Sequence, residues 1–515
     1  MDTDSLIKKD YLKIGKASDL KNRKEKIIFR IFEIFPGILS WGVLFLVILL
    51  SWKKPVWIAI FIIFYSIFYL FRTVYFSFHL QAGFKKMKKH EKIDWLKKIS
   101  AFPDWQNLYH LIILTMYKEP LEIVRESFLY LEKTDYPKDR MIVVLACEKR
   151  AGEKIKELVK EIKKEFSHKF FRFLVTFHPA NLAGEVAGKG SNETWAARKV
   201  KKIIIDPLKI PYQNIIFTTL DVDTCVYPKY FSCLAWHYLT SKNPTRTSFQ
   251  PIPLYINNIW QAPVVSKIFA FSSTFWHTIN QERPEKLVTF SSHSMSFKAL
   301  VEVDFKQTNV VSDDSRIFWQ CFLRYDGDYR VRPLYYPISM DANVAKNFWQ
   351  TVVNIYKQQK RWAYGVGDIA YFLFGFIKNK KIPISKKISL GFELIEGHFS
   401  WATASVMIFL LGWLPVIFGG PGFSQTLIAF NLPQIISRIL TLAMVGLVGS
   451  AYFSLILLPP KPPEYGRFKY VFFILGWLLV PIIMIFFTSL PALDAQIRWA
   501  LGKYMGFWPT EKIRK

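Results

Sequence analysis

Ile215-Ile216-Phe217-Thr218-Thr219-Leu220-Asp221-Val222-Asp223 is the stretch on which the reading of this chain turns. A run short enough for one strand ends on two carboxylates one residue apart, and Thr224 and Pro228 turn the chain just after them. Side chains alternate along a strand, so both carboxylates reach the same edge only if the chain turns there. Comparable runs stand upstream at 108–115, 141–146 and 171–176, with helical periodicity at 121–132 and 153–165 between them. This alternation predicts a parallel-sheet α/β domain from about Trp105 to Tyr336, with a ligand crevice at the carboxyl ends of its strands.

On either side of that domain the chain changes character. Of its 515 residues, 51% are hydrophobic and 17% aromatic, and its mean hydropathy is positive, which points to an integral membrane protein. The runs 34–51 and 56–71 each approach the length that crosses about 30 Å of hydrocarbon and read as a hairpin turning at Trp52-Lys53-Lys54. Lysines and arginines flank the hairpin at 8–30 and 85–89, so both flanks and the domain that follows belong on the cytoplasmic side of the cell membrane. No cleavable leader pattern is present in this region, and the first run reads as a retained anchor.

Three further apolar runs, 399–418, 439–458 and 470–490, follow a basic stretch at 378–387. Three crossings would leave the C-terminus outside, yet Arg498, Lys503, Lys512, Arg514 and Lys515 favour the inside. One run is therefore re-entrant or interfacial, or the tail is external. Irregularity is expected at 425–438, around Pro433.

With 69 Lys+Arg against 40 Asp+Glu, the net charge is +29. The basic residues cluster beside apolar runs, so anionic lipid headgroups are the expected partners. Nucleic acid is not, because no RNP, zinc-finger or helix-turn-helix pattern accompanies the charge. Cys147, Cys225, Cys233 and Cys321 lack Cys-x-x-Cys spacing and read as buried thiols in a reducing compartment, with no zinc site implied. His110, His178 and His398 read as structural, whereas His293 stands in a polar stretch before Asp314 and could touch an acceptor.

Three constellations could carry chemistry. Asp221 and Asp223 could hold Mg²⁺ or Mn²⁺ against a leaving diphosphate, although a short acidic motif can also be no more than a loop. Asp313-Asp314 precedes the periodic segment 317–323; one aspartate could cap that helix, and Asp314 is suited to act as the base that deprotonates an acceptor hydroxyl. Gln358, Arg361 and Trp362 share one face if 347–364 is helical, offering an indole to sugar and a guanidinium to phosphate. A basic amphipathic helix lying on the membrane would show the same spacing. Taken in this order, the constellations fit inverting sugar transfer from a nucleotide sugar.

The set resembles the membrane-bound family 2 glycosyltransferases, the group that contains bacterial cellulose and hyaluronan synthases, from about Trp105 to Lys512. The resemblance implies a GT-A-like nucleotide-sugar-binding α/β domain inserted between transmembrane helices, with Asp221 and Asp223 at phosphate and metal. It makes Asp314 the catalytic base of a TED-type element and places Gln358, Arg361 and Trp362 of QxxRW at the acceptor end. It also implies that Tyr117 and Glu119 lie beside nucleobase and ribose, that Glu148 substitutes for the usual aspartate, and that Lys189, in a basic loop, meets phosphate. Phe507-Trp508-Pro509-Thr510-Glu511-Lys512 resembles the FxVTxK gating loop, with Phe507, Thr510 and Lys512 carrying the match and Pro509 replacing valine. The expected division is a basic segment at 1–30, a hairpin at 31–80, a cytosolic domain at 100–345, interfacial helices at 346–397, membrane helices at 398–491 and a tail at 492–515. A UDP-sugar and polysaccharide synthesis are favoured. Single addition to a lipid acceptor is the alternative, and a non-catalytic transporter or adaptor the third reading.

Overall fold

A computed structural model describes residues 10–466, 468–510, 513 and 514; Lys512, expected in the gating segment, lies outside them. Asn22 opens the first helix by accepting the backbone N–H groups of Lys24 and Glu25, donors that a helix start leaves unpaired. That helix, α1 (Arg23–Lys53), ends at Lys54. Pro55 then begins α2 (Pro55–Lys92), at a position where its missing N–H would have no helical partner anyway. The 38 residues of α2 reach about 57 Å against about 30 Å of hydrocarbon. Its final turns, bearing Lys85, Lys86, Lys88, Lys89 and Lys92, therefore project past any apolar layer.

The half of the α/β domain that follows the hairpin in sequence folds as the periodicity predicts. Its elements are β1 (Tyr109–Met116), α3 (Leu121–Glu132), β2 (Met141–Glu148), α4 (Lys154–Phe166), β3 (Arg172–His178), α5 (Lys189–Val200) and β4 (Ile215–Asp221). The four strands pair in parallel in the order β3-β2-β1-β4. Both faces are covered: Leu111, Ile113 and Phe217 join the core beneath α5, and Ile112, Leu114 and Ile216 join the core beneath α3 and α4. Burial on both faces is why these strands read as continuous apolar runs.

The remaining half corrects the expectation of a parallel sheet. After β5 (Cys225–Val226), α6 (Tyr230–Leu239), β6 (Thr247–Leu254) and α7 (Val264–Gln281), the three-residue β7 (Ser294–Ser296) enters antiparallel between β4 and β6. Beyond α8 (Asp313–Arg324), β8 (Arg330–Ser339) pairs parallel with β6 and antiparallel with β5. The eight-stranded sheet is mixed, in the order β3-β2-β1-β4-β7-β6-β8-β5. Next come α9 (Phe348–Ala363), α10 (Gly367–Lys378) and three long apolar helices, α11 (Ile384–Phe409), α12 (Leu427–Leu457) and α13 (Phe468–Leu501).

Among the described residues four helices, α1, α2, α12 and α13, are long and apolar enough to cross a membrane, and α11 makes a fifth if counted with Leu411–Phe418, to which it is bent by 46°. The irregularity expected at 425–438 is confined to Gln425-Thr426 at its start, and Pro433 does not cause it, since Pro433 sits inside unbroken α12. Further breaks fall upstream, at Gly412 and at Gly419-Gly420, where Gly420 takes φ +70°. Phe453 packs on Phe84 at 5.2 Å and Gly446 abuts Thr73, so α12 runs in the direction of α2. The two ends of α13 touch different parts: Tyr470 stacks edge-on to Trp260 of the α/β domain at 5.4 Å, and the Trp499 indole donates to the Tyr364 carbonyl just after α9 at 3.1 Å.

The exit from α13 is fixed locally. Arg30 donates to the carbonyls of Trp499 and Ala500 at 2.7 and 2.6 Å and pairs with Glu33 at 2.7 Å, supplying partners that a helix end lacks. Gly502 adopts φ +67°, the left-handed turn that glycine accepts without strain, and ends the helix there.

Candidate active site

The carboxyl ends of β1, β2 and β4 lie side by side, with Thr115 opposite Asp221 and Met116 opposite Cys147. The residues just beyond those ends converge. Glu119 accepts the backbone N–H groups of Tyr117 and Lys118 at 2.7 and 3.1 Å, fixing the turn after β1. Glu148 is buried and ion-paired to Arg150, whose guanidinium lies 4.6 Å over the Tyr117 ring. Tyr117, Glu119 and Glu148 thus form one wall.

Lys189 was expected in a basic loop; it is instead the first residue of α5, after Gly188. Its Nζ stands 2.8 Å from Asp221 Oδ1 and 3.3 Å from Asp314 Oδ2, so one ammonium lies between the two aspartates. Ser291 Oγ donates to Asp221 Oδ2 at 2.9 Å and accepts from Lys189 at 3.1 Å. Asp223 is buried, and its Oδ2 accepts the N–H of Asp341 at 3.1 Å.

Asp313 and Asp314 occupy the first turn of α8, where the helix dipole favours negative charge. Neither caps the helix: Ser312 holds the N-cap position, and among the described residues no side chain makes the capping bond. Their environments differ. Asp313 is 4% exposed and bonded to Lys306 at 3.1 Å, whereas the Asp314 side chain keeps 22% exposure. Gly190 lets α5 pass Asp313, since a Cβ there would lie 2.6 Å from that of Asp313.

Two residues absent from the sequence reading complete the network. Lys306 bonds Asp314 at 2.9 Å and also pairs with Glu193, and both are almost fully buried. Glu193, Asp313 and Asp314 bring oxygens within 4.8 Å of one another, as metal ligands would. However, the Lys306 ammonium is within ion-pair distance of all three, so it holds the position a cation would take. Neither Glu193 nor Lys306 stands at a motif spacing, Glu193 lying in a polar helix and Lys306 in a bend, which is why both escaped notice.

Burial and charge act in opposite directions here. Burial raises the Asp313 carboxyl, the Asp314 charge raises it further, and the result is about 7. Burial would also raise Asp314, but Lys189 and Lys306 outweigh it and hold that carboxyl far below the usual range. Burial disfavours the Lys189 ammonium, yet Asp221, Asp314 and Glu193 together keep it charged well above its ordinary range. His293, fully buried and 3.9 Å from Asp314, is pushed down to about 3 by burial and then by Lys306.

The segment 347–364 is helical as expected, with Asn347 capping α9. Burial pulls the Arg361 guanidinium down while Asp221, Asp313 and Asp314 counter it, so the residue belongs to this cluster. Gln358 accepts from Asn343 at 3.4 Å, and Gln358 and Trp362 line a small cavity with Tyr255, Asp341 and Asn343. The tail lies across the same cleft. Arg361 stands 4.7 Å over the Phe507 ring, Phe507 abuts Gly188, and Lys357 caps the Trp508 ring at 3.8 Å. Thr510 Oγ1 is buried, and Arg514 pairs with Asp341 at 2.7 Å. The aspartates, Lys189, Arg361 and the tail thus share one cleft. His110, His178 and His398 stay outside it: His110 packs among Tyr136 and Phe231, His178 bonds Glu185 at 3.0 Å, and His398 lies on α11.

A family model described as glycosyl transferase family group 2 matches residues 216–490, more than half of the chain. The chain belongs to that family. As a member of glycosyl transferase family group 2 it is a glycosyltransferase, which sets aside the transporter or adaptor reading. No curated protein sequence matches it. Among solved structures, it is similar to the mannosyltransferase PcManGT from Pyrobaculum calidifontis in complex with GDP-Man and Mn²⁺, at 13% identity and a TM-score of 0.41, covering 86% of this chain and 100% of that one. It is also similar to S. aureus TarS 1–349 in complex with UDP-GlcNAc, at 10% identity and a TM-score of 0.37, covering 77% and 93%.

Proposed function

We propose that this family 2 glycosyltransferase is a multi-pass enzyme of the cytoplasmic membrane that transfers a hexosyl group, with inversion, from a UDP-sugar to an acceptor hydroxyl. The observation that carries this reading is the Lys189 ammonium set between Asp221 and Asp314, which puts a leaving-group residue and a base in one cleft. The diphosphate would lie at Asp221, facing Lys189 and Arg361, with nucleobase and ribose along Tyr117, Glu119 and Glu148. The acceptor would enter from the cavity at Gln358 and Trp362. Its oxygen bonds the anomeric carbon, the electrons of the breaking C–O bond leave on the diphosphate, and Asp314 takes the hydroxyl proton. Asp314 is ionised at neutral pH but held by Lys189 and Lys306; Lys189 turning onto the diphosphate would free it to take the proton.

Asp221 and Asp223 offer hard carboxylate oxygens suited to Mg²⁺ or Mn²⁺ and are the residues that would hold it. A bound divalent ion supplies neutralisation of the charge that develops on the leaving diphosphate. Phe507, Thr510 and Lys512 would form a cover over the donor, in the manner of the FxVTxK segment they resemble.

Two features support the domain division and the cytosolic placement of 100–345: the basic flanks of the hairpin, the second of which is the end of α2, and the tail packed on the cleft. The resemblance to cellulose and hyaluronan synthases favours repeated addition to a growing polysaccharide. The small number of membrane helices favours single addition to a lipid acceptor instead. Incubating the purified protein with labelled UDP-sugars, Mn²⁺ and membrane lipid, then sizing the products, separates these readings. A ladder supports extension, one lipid-soluble product supports single addition, and no transfer from any nucleotide sugar overturns the reading.

A further inference from the structure

Away from the cleft, three residues distant in sequence meet where α2 leaves the membrane region and touches the sheet. His90 lies in the last turn of α2, and Cys233 and His237 stand four residues apart on α6, hence on one face. Each offers a ligand atom, and these atoms all lie within 4.8 Å of one another. In a tetrahedral zinc site with Zn–N of about 2.0–2.1 Å and Zn–S of about 2.3 Å, ligand atoms stand somewhat closer together, so a small side-chain adjustment would complete the sphere.

The side chains are prepared for a ligand. His237 is 4% exposed, and among the described residues neither of its ring nitrogens has a hydrogen-bond partner. A buried imidazole left this way loses its hydration without compensation. His90 Nδ1 donates to the Leu334 carbonyl of β8 at 2.9 Å, which leaves the Nε2 lone pair for a metal and supplies the outer hydrogen bond that orients a ligating histidine. The ring of Trp95 covers both imidazoles, at 5.2 Å from His90 and 5.7 Å from His237, and its indole N–H anchors to the His90 carbonyl at 3.0 Å. Arg332 donates to the His237 carbonyl at 2.9 Å and so fixes the turn of α6 that carries the imidazole.

We propose that His90, Cys233 and His237 bind a zinc-class metal ion that clamps the outer end of α2 to α6 and β8. One thiolate and two imidazoles prefer Zn²⁺ to Mg²⁺ or Mn²⁺, so this site is chemically separate from the oxygen-lined catalytic cleft. Cys233 releases its thiol proton to solvent on binding, and water fills the fourth position. The clamp ties the α2 lever to the catalytic domain, so its effect falls on stability first.

The test uses full-length protein in detergent. Elemental analysis after dialysis against Zn²⁺ should find stoichiometric zinc, retained by Asp223→Asn and lost by Cys233→Ser. Co²⁺-substituted wild type should show a thiolate-to-cobalt charge-transfer band absent from Cys233→Ser. The partly exposed His90→Gln guards against a folding artefact and should lower zinc occupancy at least tenfold while the protein remains monodisperse. Chelation should lower the wild-type unfolding temperature, with recovery on adding Zn²⁺ but not Mg²⁺. Zinc-free wild type after dialysis, no cobalt–thiolate band, or unchanged zinc in Cys233→Ser would each overturn the proposal.

Discussion

Replacing Asp314 by asparagine tests the base assignment and the charge network together. In the wild type, Lys189, Lys306 and Arg361 face Asp221, Asp314 and Glu193, while Asp313, pushed up to about 7, still holds much of its proton near neutrality. The neutral amide removes one negative charge. It also removes the second-largest cause of the raised Asp313 pKa, after burial, so Asp313 ionises and restores the balance around Lys306. The fold should therefore lose only about 1.5–3 kcal/mol, the worth of a hydrogen bond to a charged group. Transfer should suffer far more, because a positioned general base contributes about 10²–10⁴ in rate, equivalent to about 2.7–5.4 kcal/mol of barrier. Initial rates with a labelled UDP-sugar and Mn²⁺ should show that loss in kcat, with the donor KM little changed. Asp313→Asn, by contrast, should keep most of its rate, since Asp313 is only 4% exposed and is held on Lys306 rather than open to an acceptor. Normal kcat in Asp314→Asn, or an inactive Asp313→Asn beside it, would refute the assignment.

Three further outcomes follow from the same geometry. Gly190→Ala puts a methyl 2.6 Å from Asp313 Cβ; displacing the start of α8 should cost about 1–3 kcal/mol and lower kcat, read by thermal unfolding and initial rates. Arg316→Met strips the 2.6 Å partner from buried Asp368; it should destabilise by about 3–5 kcal/mol, with much of that recovered when Asp368→Leu is added. The pH dependence has a definite sign: folded Asp313 keeps its proton to about 7, whereas the unfolded chain releases it near 3.8. Its contribution is present below the lower value and lost as pH rises through the upper, so Asp313→Asn should flatten the fall in unfolding temperature between about pH 4 and 7.

The parallel half of the sheet was legible because each strand is buried on both faces and bounded by turns; all four lie within two residues of their expected limits. The other half was hidden by composition. β6 carries Pro251 and Pro253, and β8 carries Pro333 and Pro337, residues that argue against a central strand. A register shift between Gln250 and Ile252 absorbs the irregularity in β6. β7 is the polar triplet Ser294-Met295-Ser296, too short for any period. In the site, Asp221, Asp314 and Arg361 were visible through their spacing, but Lys306, Glu193 and Asp341 became functional candidates only through tertiary contact. The His90–Cys233–His237 group was invisible for the same reason, since cysteine spacing alone argued against zinc.

The tail also bears on which apolar run the sequence had miscounted. α12 runs in the direction of α2, so it returns toward the catalytic domain, and the Trp260 indole meets the Pro459 carbonyl at 3.2 Å just past its end. α13 starts beside Trp260 and ends beside Tyr364, so it leaves and regains the same face despite its length and apolarity. Its irregular turns at Trp477–Leu479 and Ile485–Ser489 suit a helix that dips into the apolar layer without crossing it. We propose that two crossings follow the α/β domain, the bent α11 pair and α12, an even number that would bring the tail back to the cleft. Because the four native cysteines are buried, single added cysteines give a clean readout with an impermeant thiol reagent on intact cells and on inverted vesicles. Glu464→Cys should react only from the side of the catalytic domain and Gly422→Cys only from the other. Labelling of Glu464→Cys from outside intact cells would mean that α12 does not return to the catalytic side and that α13 itself crosses to bring the tail back to Arg361.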